Sequence, residues 1–399
     1  MSRIDLTGLT AAPAQVWGGI RLVPLLRAEP VAGLRLHREA YDGGTGGGYG
    51  AVDLGDGTAY VSYIPHGFVA DWSGDGTQAA AYGTQLGRDA AQAPRVPLRF
   101  HHRLAKRRRE KGTGRAEPRL RFLPLHLALE GYLALHFGGP TTVWDEWSQR
   151  AVRQGLSPRA EAAYAGWEVR GLGDALRVFE IHPRQCGVMV YAADALAAAF
   201  VVPHPDDYRA LHPTLVRDLY GELVHQYALY GAPVPEFGAR IRDGGVRTLA
   251  DLRAAAREQE RAWHEAHDGL LARDLLETRY SFERAYRMGS FDLYRFLPPF
   301  HRGGGEQHIG ELITDRKGRT AYLKTFRLST HQIRRGYLLR RLADCDWHLG
   351  RTAEALGCSY ADLTHRITTA GFGPLLNAHE VAHRIRKEAR QSQGRGSPG

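Results

Sequence analysis

The chain has 399 residues, 43% hydrophobic and 24% charged, with a formal net charge of +10. That balance belongs to a globular chain, long enough for two or three domains, and excludes a disordered or fibrous one. The longest apolar run, residues 192–202, is too short to span a bilayer, and the first residues lack the pattern of a secretory signal. Three cysteines, Cys186, Cys345 and Cys358, have no paired spacing. This fits a reducing compartment, so a cytoplasmic protein with no membrane partner is expected, and no metal site or cofactor is evident.

In chain order, the first ninety residues read as β-rich. Short apolar-polar runs at 19–27 and 34–41 precede a Gly-rich loop, and runs at 51–54 and 59–64 flank Gly55-Asp56-Gly57, a hairpin signal. A second such turn, Asp75-Gly76, lies between runs at 68–72 and 79–85. The basic segment 101–121 follows. Residues 100–122 carry nine Lys or Arg against two acids, centred on Lys106, Arg107, Arg108, Arg109 and Lys111. Such a patch suits a polyanion, although a solvated loop has the same composition.

Residues 123–137 and 144–154 read as helices, and 177–182 as an alternating strand. Apolar runs at 186–191 and 196–202, joined by Ala192-Ala193-Asp194, predict a hairpin. Pro205 then opens a helix to about residue 230, with Leu211, Leu215, Leu219 and Leu223 at four-residue steps. A polar helical stretch at 248–276 and a hairpin at 308–314 and 320–326 lead to the C-terminal helices. The expected class is α+β. Its parts are a domain over 1–235, a helical connector with a hairpin over 236–330, a C-terminal helical module over 331–390, and a disordered tail over 391–399.

The C-terminal spacing is the sharpest signal. Residues 333–342 form a first helix, and Leu349, Ala353 and Leu356 put one apolar face on a second. Gly357 supplies the turn, Ser359 caps a third helix, and Leu363 and Ile367 bury it at i and i+4. A tight Gly turn between short helices sets the second across the first, where it can enter a major groove. Residues 347–359 together with Leu363 and Ile367 resemble the Fis-type helix-turn-helix. The resemblance implies DNA contacts from Tyr360, Thr364, His365 and Arg366 on the third helix, with Arg351 on the second. Asp362 opposes phosphate contact there, and a bundle used for homodimerisation remains the alternative.

Residues 185–191, followed by Phe200, Asp207-Tyr208-Arg209 and the helix from Leu215 to Tyr227, resemble another family. It is that of the ADP-ribosylglycohydrolase and rhodanese-phosphatase associated protein domains, and the likeness spans residues 15–230. It implies an α+β domain linked to NAD-derived or nucleotide metabolism by association, and carries no catalytic residues across. From the residues themselves, Glu180 and His182 on one strand face, with His204 after the return strand, could serve proton transfer or bind metal. His66 is a further candidate, while Cys186 reads as a buried small hydrophobe.

Other motifs do not hold. His379-Glu380-Val381-Ala382-His383 matches the zinc-protease helix but has no third ligand downstream. Residues 263–267, Trp-His-Glu-Ala-His, read as a solvated helix face. Gly46-x-Gly48-x-x-Ala51 leads into a strand, which leaves no helix N-terminus for a phosphate, and no P-loop or G-x-S-x-G occurs. No recognised catalytic motif is present. The sequence therefore suggests a regulator with an α+β sensing domain and a DNA-binding tail. The alternative is an enzyme or ligand-binding protein for an NAD- or ADP-ribose-derived molecule, with the terminal helices serving assembly.

Overall fold

The computed structural model describes residues 2–36, 176–213, 215–216 and 220–376, together with short strands between residues 52 and 103. The basic patch at 106–111, His66, the helices expected at 123–137 and 144–154, the motif at 379–383 and the terminal tail lie outside the described residues.

β1 (Leu9–Ala11) and β2 (Gln15–Trp17) pair end to end along the same edge of β3 (Ile20–Arg27). Two small antiparallel sheets follow. One contains β4 (Arg35–Leu36), β7 (Val69–Asp71) and β8 (Ala79–Ala80), and the other β5 (Val52–Asp53), β6 (Ala59–Ser62) and β9 (His101–Arg103). The β5–β6 and β7–β8 pairings put strands on either side of both expected Asp-Gly turns.

The main sheet is completed by β10 (Gln185–Ala192), β11 (Ala195–Val201), β12 (Ser281–Met288), β13 (Phe291–Leu297), β14 (His308–Asp315) and β15 (Thr320–Arg327). Its order is β1-β3-β10-β11-β15-β14-β13-β12, and every pairing is antiparallel. Residues 236–330, expected as a helical connector with one hairpin, thus supply four of its strands. The β10–β11 turn is built on Ala193 and Asp194, both at positive φ, the mirror-image geometry that matches strand twist.

β10 is buried along its whole length because helices cover both sides of the sheet. Val188, Val190 and Phe200 point to one face, where Tyr208 and Leu211 of α1 (Pro205–Pro213) and Val224 of α2 (Gly221–Leu229) pack. Met189, Tyr191, Ala199 and Leu323 point to the other, against Trp263 of α3 (Leu249–Ala266) and Leu275 of α4 (Arg273–Glu277). Across the helix expected from 205 to 230, the described residues form two α-helices with π-helical residues at 215–216 between them, where the Tyr220 N–H donates to the Leu215 carbonyl. Residues 177–182 form a 3-10 turn and coil where a strand was expected, since Gln15 takes both backbone groups of Glu180. The class is mixed α+β.

On the first face, directly opposed Glu311 and Lys324 form a fully buried ion pair, with Nζ 3.1 Å from the carboxylate. Three further helices, α5 (Thr330–Asp344), α6 (Leu349–Ala355) and α7 (Tyr360–Thr369), pack against the same core through Leu339, Leu342, Leu363 and Ile367. α5 opens with a capping box between Ser329 and Gln332, and Ser359 caps α7 by accepting from the Asp362 N–H at 3.0 Å. No helix among the described residues is long and apolar enough to cross a membrane.

Candidate functional site

Spacing on α5 creates a buried face and an adjoining basic stripe. Gln332, Gly336, Leu338 and Leu339 are buried, whereas His331, Arg334 and Arg335, at i, i+3 and i+4, share the stripe beside them. Gly336 lets the helix lie directly on the Phe300 ring: a Cβ there would come 2.2 Å from a ring carbon. Phe300 is fully buried with φ of +56°, and its backbone sends the 301–304 loop towards α5.

That loop is held at both ends. The Gln307 side chain accepts from the His301 N–H at 3.0 Å and donates to the His301 carbonyl at 2.7 Å. The Glu306 N–H donates to Asp274 at 2.7 Å, and the Glu306 carboxylate accepts from Arg327 and from the Leu196 N–H. Burial opposes ionisation of Glu306, but His308 and Arg327 outweigh it and hold the carboxyl below its usual range. The Arg302 guanidinium lies 4.6 Å from the centre of the Tyr337 ring, a cation–π contact that orients it.

The loop, α5 and α7 enclose a cleft of about 590 Å³. Its walls carry four arginines, Arg302, Arg334, Arg335 and Arg366, and three histidines, His301, His331 and His365, with no Asp or Glu among the lining residues. The first turn of α5 also borders it, adding the positive end of that helix dipole. Among the described residues, Arg302, Arg334 and Arg366 make no ion pair, so their charge is directed at solvent and at whatever enters. Such a cleft attracts anions, and guanidinium groups suit phosphate because they donate two parallel hydrogen bonds.

The third helix differs from expectation at two positions. Tyr360 and Thr364, expected as surface contacts, are 5% and 6% exposed, and the Thr364 hydroxyl donates to the Ala361 carbonyl. The reason is helical phase. Thr364 lies one residue from Leu363 and three from Ile367, on the flank of the buried stripe, and Tyr360 lies three before Leu363. Arg351, His365 and Arg366 are exposed, as is Asp362, whose carboxylate accepts from the Ser359 hydroxyl at 2.8 Å.

Of the other candidates, Glu180 is exposed in coil, and the His182 N–H donates to Gln185 at 3.0 Å. His204 accepts from the Asp206 N–H in the first turn of α1, a local structural bond. Among the described residues these groups form no cluster able to hold a metal ion. Cys186 is fully buried, and burial pushes its thiol up.

A second cleft, of about 510 Å³, lies against the opposite face of the sheet between the N-terminal segment and the end of α3. There α3 runs into a π-helical turn, His267–Leu271, a distortion often found at functional sites. Residues 263–267, expected as a solvated face, contribute buried Trp263 and His267, which lie at i and i+4 on the side turned to the sheet, while His264 and Glu265 stay outside the buried set. The His267 ring bridges the Tyr191 hydroxyl at 2.9 Å and the Asp268 carboxylate at 2.7 Å, and Tyr191 is held well above its ordinary range by burial. Sequence reading missed this chain because Tyr191 and His267 are far apart in sequence and meet only through the sheet.

No curated protein and no solved structure matches the chain. The profile of the ARPP-2 family, the ADP-ribosylglycohydrolase/rhodanese-phosphatase associated proteins, matches residues 4–289. The match is wider than the residues that suggested it; in chain order it takes in the strands β1 to β12 and the helices α1 to α4, and it ends before β13, β14 and β15 of the same sheet. The chain therefore belongs to the ARPP-2 family.

Proposed function

We propose that residues 330–369 form a Fis-like helix-turn-helix that binds DNA mainly through its phosphate backbone, and that the chain is a regulatory protein in which the ARPP-2 body carries this module. The supporting observation is the way α6 and α7 meet. Gly357 joins them at φ of +60°, Leu363 and Ile367 bury one side of α7, and Arg351, His365 and Arg366 are left exposed. With Tyr360 and Thr364 turned inwards, base reading is sparse and electrostatic contact dominates.

The test is fluorescence anisotropy of a labelled duplex with the full-length chain over a salt series. Each phosphate neutralised contributes about −0.9 to the slope of log affinity against log salt, so two or three contacts give a slope of about −2 to −3. Arg366→Ala and Arg351→Ala should each make it shallower by about 0.9. An unchanged slope in both variants, or no binding at low salt, removes the proposal.

One observation favours a second reading, that the body binds or transforms a small molecule: the Tyr191–His267–Asp268 chain beside the second cleft. A neutral phenol hydrogen-bonded to a carboxylate-oriented imidazole can relay a proton. His267→Gln with unaltered thermal-shift responses across a panel of nucleotide-like ligands counts against that reading.

A further inference from the structure

The basic cleft joins two parts of the molecule, and this gives it a role beyond DNA contact. Arg302 and His301 come from the loop after β13; Arg334 comes from α5; His365 and Arg366 come from α7. We propose that this cleft is a binding site for a free phosphoanion of the diphosphate class, and that its occupation competes with DNA. The competition rests on the proposed DNA-binding role of α7; the anion site itself does not.

Size, charge and construction each support the assignment. A volume of about 590 Å³ lies within the range of small-ligand pockets. Arg302, Arg334 and Arg366, which make no ion pair among the described residues, share this cleft with no lining carboxylate, and a multivalent anion offsets their mutual repulsion while accepting their hydrogen bonds. The site is built in advance: Arg302 is stacked on Tyr337, its loop is clamped by Gln307, and α5 is seated by Gly336 on Phe300. A preformed site loses little side-chain entropy on binding.

Competition follows because His365 and Arg366 line the cleft and also belong to the proposed DNA-binding face. A diphosphate spanning Arg302 and Arg366 occupies the guanidinium that would meet a DNA phosphate. It also ties α7 to the body loop and cancels positive charge beside the duplex. By linkage, whatever factor the anion removes from DNA affinity, DNA removes from anion affinity.

Inorganic pyrophosphate is the probe, titrated calorimetrically into the full-length protein at constant ionic strength, with sulfate as a control for general anion screening. Wild-type protein is expected to bind pyrophosphate stoichiometrically and at least about tenfold more tightly than sulfate, since paired guanidinium contacts favour the multivalent phosphate. Arg302→Gln and Arg334→Gln should each weaken pyrophosphate about tenfold, in line with loss of one charge-assisted contact. Arg351→Ala, outside the cleft, should leave pyrophosphate binding unchanged. Saturating pyrophosphate should weaken DNA binding about fivefold or more in the wild type and much less in Arg302→Gln. Circular dichroism and melting temperature confirm that each variant is folded.

The anion site is overturned if pyrophosphate binds no better than sulfate, or if both glutamine variants bind it as the wild type does. The competition is overturned if pyrophosphate binds but DNA affinity at constant ionic strength does not change. Pyrophosphate binding without any DNA binding would leave the anion site standing and remove the DNA-binding reading.

Discussion

Gly336→Ala tests whether α5 is seated as described. The added methyl would approach three atoms of the Phe300 ring at 2.2, 2.5 and 2.8 Å, all closer than carbon atoms tolerate. The ring has little room to yield, because Phe300 is fully buried within the main core and its backbone is already left-handed. Two effects then oppose each other. Alanine favours an α-helix over glycine by about 0.8–1 kcal/mol, while overpacking a formed core costs about 1–3 kcal/mol. Contact this short places the cost towards the upper end, so a net loss of about 1–2 kcal/mol is expected. Urea denaturation measures it as a lower midpoint with an unchanged slope. Adding Phe300→Leu should recover part of the loss, because the two positions share one contact and their effects are not additive. A Gly336→Ala protein as stable as the wild type, or more so, would refute this packing and with it the preformed cleft.

Two other perturbations address the body. Lys324→Met leaves the Glu311 carboxylate buried without its cation and should cost about 3–5 kcal/mol, whereas Lys324→Met with Glu311→Leu should restore most of the loss. Equal destabilisation of the single and double variants in urea melts would contradict a paired interaction. Burial lowers His212 to about 4, and its Nδ1 lies 2.9 Å from the Tyr208 hydroxyl. The unfolded chain titrates that group near its ordinary value of about 6.5 and so binds a proton the native state excludes. Stability from this group is complete above about pH 6.5 and declines as the pH falls towards 4; His212→Gln should flatten that decline in pH-dependent melts.

What the sequence revealed follows from the range of each interaction. The hairpin from 186 to 202 was legible because its turn and both apolar runs are contiguous, and the caps at Ser359 and the turn at Gly357 are fixed by residues within one helical turn. The β12–β13 hairpin was not, because Glu283, Arg284 and Arg287 interrupt the apolar signal on what proves to be an edge strand. Charge on an edge strand protects its free hydrogen-bonding groups from foreign pairing, at the expense of a recognisable pattern. The basic cleft was hidden for a different reason. Its walls come from residues 301–304, 330–338 and 365–370, and only the seating of α5 on Phe300 brings them together. Tyr360 and Thr364 were misplaced by a fraction of a helical turn, enough to change a surface residue into a buried one.

Hydrogen–deuterium exchange of the full-length chain, with and without duplex DNA at low salt, tests the DNA-binding proposal most directly. Protection on adding DNA is expected in peptides covering residues 349–369, with little change around residues 263–271. It should be lost in Arg366→Ala combined with Arg351→Ala, and reduced by pyrophosphate at constant ionic strength. Unchanged exchange across residues 349–369 in the presence of saturating DNA, or protection confined to the cleft beside His267, would contradict the assignment of DNA binding to these helices.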